Sequence, residues 1–177
     1  MQVSARDHSL GSERAELTLV DYGDYACPFC KAAQMVVRAV RAEYGARLRY
    51  VYRHFPHTTM HPLAAQAAEL AEAAGAQGAF WEMHHLLFAA QPMLDLDDLL
   101  HLAATLDLDL DRVVADLGTN RYLLNVQEDV VGGARSGVFA TPTFFINGER
   151  YDGSWDFTAL TAALDRARPR SRPIIHH

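Results

Sequence analysis

Cys27 and Cys30 stand two residues apart in the stretch ACPFC, and they are the only cysteines in the 177 residues of the chain. One isolated pair of thiols at this spacing suits redox exchange. The first turn of a helix leaves backbone N–H groups without partners and presents the positive end of the helix dipole. A thiolate placed there is stabilised, and its pKa can fall from about 8.5 to roughly 3.5–7.5. Cys27 would be the exposed nucleophile. Cys30, one turn further in, would attack the resulting mixed disulfide and release the partner. Pro28 suits the first turn, where its missing N–H takes nothing away.

Two blander readings compete. The pair could be half of a zinc site, but structural zinc generally takes four ligands. The remainder would have to come from His54, His57 and His61, which are close in sequence. The cysteines could also be unrelated buried residues, which fits poorly with a strand before them and a helix after them. A purely structural disulfide across so short a loop would add little stability.

Strand character runs over AELTLVDYG (15–23), and Ala33, Val36, Val37, Val40 and Tyr44 follow the pair at helical spacing before Gly45. RLRYVYRHF (47–55) alternates and is rich in aromatics, as a strand is. Strand, helix, strand is the order of a parallel βαβ unit. Residues 62 to about 136 then read as helices with short links, with proline at the start of 61–75 and aspartates opening 95–108 and 109–118. Strand character returns in TPTFFINGERYDG (141–153), where Asn147-Gly148 is a strong hairpin signal. Asp156 caps a last helix carrying Phe157, Leu160 and Leu164, and residues 169–177 read as a frayed tail.

The formal net charge of −6 argues against general affinity for nucleic acid or an anionic membrane surface. All but one of the basic residues are arginines; the exception, Lys31, directly follows the pair. No segment approaches the ~18 consecutive apolar residues of a membrane span. The first fifteen residues lack the apolar stretch of a signal peptide. That leads to the expectation of a cytoplasmic protein, or an extracytoplasmic one if a leader has been removed. His176 and His177 read as native residues or as a tag remnant.

ACPFC after LVDYGDY, then YRHFP, FWEMHHLLFA and SGVFATPTFFINGERYDG together resemble the DsbA-like branch of the thioredoxin-fold thiol–disulfide oxidoreductases, over about residues 15 to 168. The resemblance implies an α/β thioredoxin fold with an inserted all-helical subdomain. Residues 15–61 and 137–168 would form the thioredoxin-like part, 62–136 the helical insertion, and 1–14 and 169–177 flexible termini. It implies that the Thr141-Pro142 bond is cis and lies beside the cysteines, where an extended peptide could add as a strand. It also implies that Asp21, six residues before Cys27, is a buried acid that takes the proton of the resolving cysteine. Asp24, nearer the loop, reads as a surface or turn residue. The substrate-contacting residues would be Pro28, Phe29, Thr141 and Pro142. No cofactor or metal is implied. The partners would be thiols and disulfides of other proteins, with glutathione or a redox partner protein as candidates for recycling the pair.

One departure from the family prototype lies between the cysteines. The strongly oxidising prototype has Pro-His there and this chain has Pro28-Phe29. Phe29 removes a cation beside the thiolate, which leads to the expectation of a milder oxidant. Elsewhere, His84 reads as a core residue, His54 as a candidate for substrate docking, and Phe80, Trp81 and Phe88 as core of the insertion.

An enzyme acting on protein cysteines is the first functional reading. A redox-sensing or peptide-binding module on the same fold is the second, since domains of this kind also occur appended to membrane transporters. A glutathione-conjugating relative is a third, disfavoured because such proteins usually replace the pair with a single serine or cysteine. Retention of both cysteines together with Thr141-Pro142 favours the enzyme, because a pure binding module needs no resolving thiol.

Overall fold

A computed structural model describes residues 2–92 and 95–169 of the chain. A short strand β1 (His8–Leu10) comes first, then β2 (Leu17–Gly23), helix α1 (Pro28–Tyr44) and β3 (Leu48–His54). Five helices follow: α2 (Ala64–Gly75), α3 (Phe80–Ala90), α4 (Leu96–Thr105), α5 (Leu110–Gly118) and α6 (Leu123–Arg135). The chain then forms β4 (Thr143–Ile146), β5 (Glu149–Tyr151) and α7 (Phe157–Ala167).

The five strands make one sheet in the order β1-β3-β2-β4-β5. β2 and β3 are parallel, joined across α1, and the other neighbouring pairs are antiparallel. This mixed sheet with helices on it is a thioredoxin fold. The pleat divides β2 between two cores. Leu17 and Leu19 pack with α1 residues Cys30, Ala33, Val37 and Val40, while Val20 and Tyr22 pack on the opposite face with Val51, Phe55 and Phe145. Asp21 shares the α1 side with Leu17 and Leu19.

Local signals set the element ends. Gly45 closes α1 at φ 52°. Asp95 forms a capping box with Asp98 at the start of α4, and Asp109 and Asp156 cap α5 and α7. The β4–β5 turn places Asn147 and Gly148 at φ 49° and 86°, the left-handed pair that a two-residue hairpin needs. Gly133, inside α6, has a different purpose. A Cβ there would lie 2.8 Å from the Tyr22 ring and 3.0 Å from Phe55, so only glycine lets α6 approach the sheet this closely.

Two expectations need correction. Of the expected flexible residues 1–14, the described residues 2–14 are not a loose terminus: β1 pairs with β3, and Asp7 holds Arg53 through two contacts of 2.6 and 2.9 Å. The pairing goes unseen in the sequence because three residues, His-Ser-Leu, carry no periodic pattern. Helix α2 starts at Ala64 rather than at Pro62, with Leu63 as its N-cap. Of the expected frayed tail, residues 170–177, with His176 and His177, lie outside the described residues.

Candidate active site

Cys27 is the N-cap residue of α1 and Cys30 lies in its first turn; both are free thiols. Cys27 keeps 6% of its surface exposed and Cys30 only 1%, so Cys27 is the more open of the two. The Cys27 thiol is pulled down to about 5. The largest cause is the hydrogen bond from the Cys30 thiol, aided by the backbone N–H groups of Cys30 and Phe29 and by Thr141, against the opposing effect of burial. Cys30 moves the other way: burial, the Cys27 thiolate and the negative charge of Asp21 hold it as a thiol. One sulfur is thus ionised at neutral pH and the other keeps its proton.

Thr141 and Pro142 come to this point from the other end of the chain. The Thr141-Pro142 bond is cis, and the Thr141 carbonyl oxygen lies 3.7 Å from the Cys27 sulfur. Phe29 is 65% exposed, and Phe139, on the loop leading to Pro142, is 76% exposed. Pro28 occupies the first position of α1.

Asp21 is 1% exposed. Its Oδ2 accepts hydrogen bonds from Gln34 Nε2 at 2.8 Å and from the Tyr50 hydroxyl at 2.9 Å. Its Oδ1 is buried with no partner among the described residues. Burial pushes the carboxyl up to about 7, outweighing the two hydrogen bonds.

Asp24, expected as a surface or turn residue, opens the turn before α1, where its carbonyl accepts from the Cys27 N–H at 3.1 Å, but it is buried and ties three segments together. Its carboxylate accepts from the Ala26 N–H at 2.8 Å and the His57 N–H at 3.0 Å, and contacts His61 Nδ1 at 2.8 Å. Its own backbone N–H lies 3.5 Å from the Cys30 sulfur. A carboxylate this well hydrogen-bonded can be buried without a large penalty.

The sequence reading also missed the clamp from α3. Gln91 Nε2 donates to the Tyr25 carbonyl, and to the Cys27 carbonyl at 3.2 Å. Lys31 Nζ donates to the carbonyls of Ala89 and Gln91 at 3.4 and 3.1 Å. The chain's one lysine therefore anchors α1 to the helical segment. Lys31, next to the pair, was the only local sequence signal, and nothing near the pair pointed to Gln91.

The histidines separate. His54 is buried and contacts Glu72 at 3.0 Å, which removes it from substrate docking. His84 is buried between Tyr25 and Gln34, as its place on an apolar helical face implied. Phe80 and Phe88 are buried, and Trp81 packs against the same core. Among the described residues, no three His, Cys, Asp or Glu side chains are grouped to hold a metal, and no helix is long and apolar enough to cross a membrane.

A helix-start dithiol facing a proline at a strand entry, on this sheet and with helices between β3 and β4, defines the DsbA-like class of thioredoxin folds. The chain belongs to the thioredoxin family, whose model matches residues 4–166. Solved structures with this fold include a thioredoxin-like oxidoreductase from Silicibacter pomeroyi, with a TM-score of 0.82, 24% identity and 93% of each chain covered. BdbD from Bacillus subtilis gives a TM-score of 0.80 at 20% identity over 90% of this chain and 91% of that one. Wolbachia pipientis alpha-DsbA1 gives 0.80 at 20% identity over 93% and 92%.

Curated relatives in sequence are of another kind. The chain is 49% identical over 171 residues to the Na(+)/H(+) antiporter NhaA 1 of Salinispora arenicola, and 42% identical over 166 residues to the Na(+)/H(+) antiporter NhaA of Herminiimonas arsenicoxydans. Those alignments cover 93% and 94% of this chain but 26% of each relative, so the chain spans about a quarter of their length.

Proposed function

We propose that the protein is a thiol–disulfide oxidoreductase that exchanges disulfides with cysteines of protein substrates. The observation that carries this reading is the opposite treatment of the two sulfurs. Cys27 is the more open and is ionised, and Cys30 is sealed and protonated. The Cys27 thiolate attacks a substrate disulfide, forming a mixed disulfide and releasing one substrate thiolate. Cys30 then loses its proton to Asp21, attacks the Cys27 sulfur and expels the second substrate sulfur. The oxidised protein runs the same steps backwards on a substrate dithiol. Pro28, Phe29, Thr141 and Pro142 form the substrate-contacting rim, with the Thr141 backbone offered to an extended peptide. Residues 15–61 and 137–168 form the redox part and 62–136 the insertion over it. Glutathione or a dedicated redox protein recycles the pair.

Trapping tests this directly. Cys30→Ser should accumulate mixed disulfides with protein substrates, and Cys27→Ser should accumulate none. Adducts on Cys30 in the Cys27→Ser protein would reverse the assignment.

The antiporter relatives favour a second reading, a redox-sensing domain that works beside a transport domain. The two readings part on turnover. An oxidoreductase reduces or oxidises many equivalents of a protein substrate in a redox buffer, whereas a sensor completes one oxidation or reduction of its own pair.

A further inference from the structure

Beneath the dithiol, polar side chains stand in an order that one arrangement of donors satisfies, with the Tyr50 hydroxyl nearer Asp21 Oδ2, at 2.9 Å, than Gln34 Oε1, at 3.4 Å. Gln34 Nε2 faces Asp21 Oδ2 at 2.8 Å, and an ionised carboxylate only accepts. The Gln34 Oε1 therefore faces His84 Nε2, at 3.2 Å, and can only accept as well. His84 must carry its proton on Nε2. Burial holds the ring neutral by pulling its pKa well below the ordinary value, so Nδ1 is bare. Nδ1 then accepts from the Tyr25 hydroxyl at 3.1 Å. The second Gln34 N–H reaches the Tyr50 oxygen at 3.3 Å, which leaves the Tyr50 proton for Asp21 Oδ2 at 2.9 Å. Reversing one member would set donor against donor or acceptor against acceptor.

We propose that Gln34, fixed in orientation by His84 of the helical insertion, is a positioning residue for Asp21: by saturating Oδ2 with donors it leaves Oδ1 as the oxygen that receives the Cys30 proton. This rests on the reading of Asp21 as the base. The step balances. The Cys30 proton moves to Asp21 Oδ1, the Cys30 thiolate bonds to the Cys27 sulfur, and the Cys27–substrate bond breaks with its electron pair on the substrate thiolate. The carboxylic acid then returns its proton to solvent, and the leaving thiolate takes one up.

The surroundings of Asp21 leave it few other influences. Gln34 of α1 and Tyr50 of β3 contact it, Tyr52 of β3 and Phe144 of β4 are its strand neighbours, and Cys30 of α1 and Tyr25 of the β2–α1 loop are close enough to feel its charge. Among the described residues no arginine or lysine pairs with it. A cavity of about 30 Å³ touches Gln34, Tyr50 and His84 and is bordered by Arg38, Arg41 and His85. That space is large enough for one water beside this network.

The test isolates the resolving step. The reduced protein is treated with oxidised glutathione to form the Cys27–glutathione mixed disulfide, and glutathione release is followed across pH. In Gln34→Leu the apparent pKa of release should rise by about one unit, the scale of one hydrogen bond to a charged group. Tyr50→Phe, which removes one oxygen, should move it the same way and carries the test if Gln34→Leu does not fold. His84→Phe should move it less, and the Gln34→Leu/His84→Phe double variant should match Gln34→Leu, because His84 acts through Gln34. The pH dependence of Cys27 alkylation should stay where it was, which a general loosening of the fold would not allow. An unmoved release profile in the folded variants overturns the inference. Asp21→Asn should lose this inflection altogether; if it keeps the wild-type profile, the reading of Asp21 as base falls instead.

Discussion

The Cys27 sulfur lies 3.7 Å from the carbonyl oxygen of Thr141, a residue 114 positions later in the chain. The nucleophile and the strand entry that would hold its substrate thus meet at one point. A disulfide bound along the Thr141 backbone would have its sulfur presented to Cys27 without further movement.

Pro142→Ala should therefore separate docking from chemistry. Turnover of a protein disulfide should fall roughly tenfold, which corresponds to about 1.4 kcal/mol of docking energy. Reaction with a small disulfide, which needs no strand contact, should change much less. Equal losses on both substrates would show that Pro142 acts on the thiolate itself.

Phe29→His should lower the Cys27 pKa further, since an imidazolium would add to the Cys30 thiol and the backbone N–H groups that already hold it near 5. Position 29 is 65% exposed, so solvent weakens the effect to less than one unit. One unit equals about 1.4 kcal/mol, or about 30 mV in a two-electron couple, so the potential should rise by less than about 30 mV. Thiolate absorbance and the glutathione equilibrium measure both. If neither moves, the residue between the cysteines does not tune the site.

Asp21 makes a prediction about stability against pH. Its carboxyl titrates near 3.8 when unfolded and near 7 when folded. Between those values the unfolded chain gives up its proton first, so stability from this group is full below about 3.8 and is lost as pH rises through 7. Asp21→Asn should remove that loss. The variant should gain stability over wild type across this window, up to an upper bound of about 4 kcal/mol above pH 7. Denaturant unfolding of reduced protein at pH 4 and pH 8 checks it, and an equal difference at both would refute the assigned shift.

Gly133→Ala should destabilise the fold by about 1–3 kcal/mol, the range for overpacking, because its methyl group would press on Tyr22 and Phe55. The denaturation midpoint should drop, while Cys27 alkylation in the folded protein stays the same.

The parts of the molecule written in short spans of sequence were legible. The cysteine pair, Pro28, the capping aspartates and Asn147-Gly148 each act within four residues, so their spacing carries their meaning. The burial of Asp21 was expected only through the family resemblance. Its partners Gln34 and Tyr50, and the Gln91 clamp 64 residues from Cys27, were not. Those contacts are chosen by the packing of α1 on the sheet and of α3 against α1, and no local pattern encodes them. The burial of Asp24 was missed for the same reason: its partners His57 and His61 lie beyond β3, and a loop aspartate looks solvated until that segment folds over it.

The Gln91 and Lys31 contacts bear on how far this scaffold could be minimised. A protein engineer wanting a smaller redox module would be drawn to join residue 61 to residue 137 and excise the helices between. Such a shortened chain would strip the Tyr25 and Cys27 carbonyls of the Gln91 amide and would leave the Lys31 ammonium without its carbonyl partners. The excised segment is thus one wall of the reaction vessel, and the boundary drawn by chain order does not coincide with a boundary along which the protein could be cut.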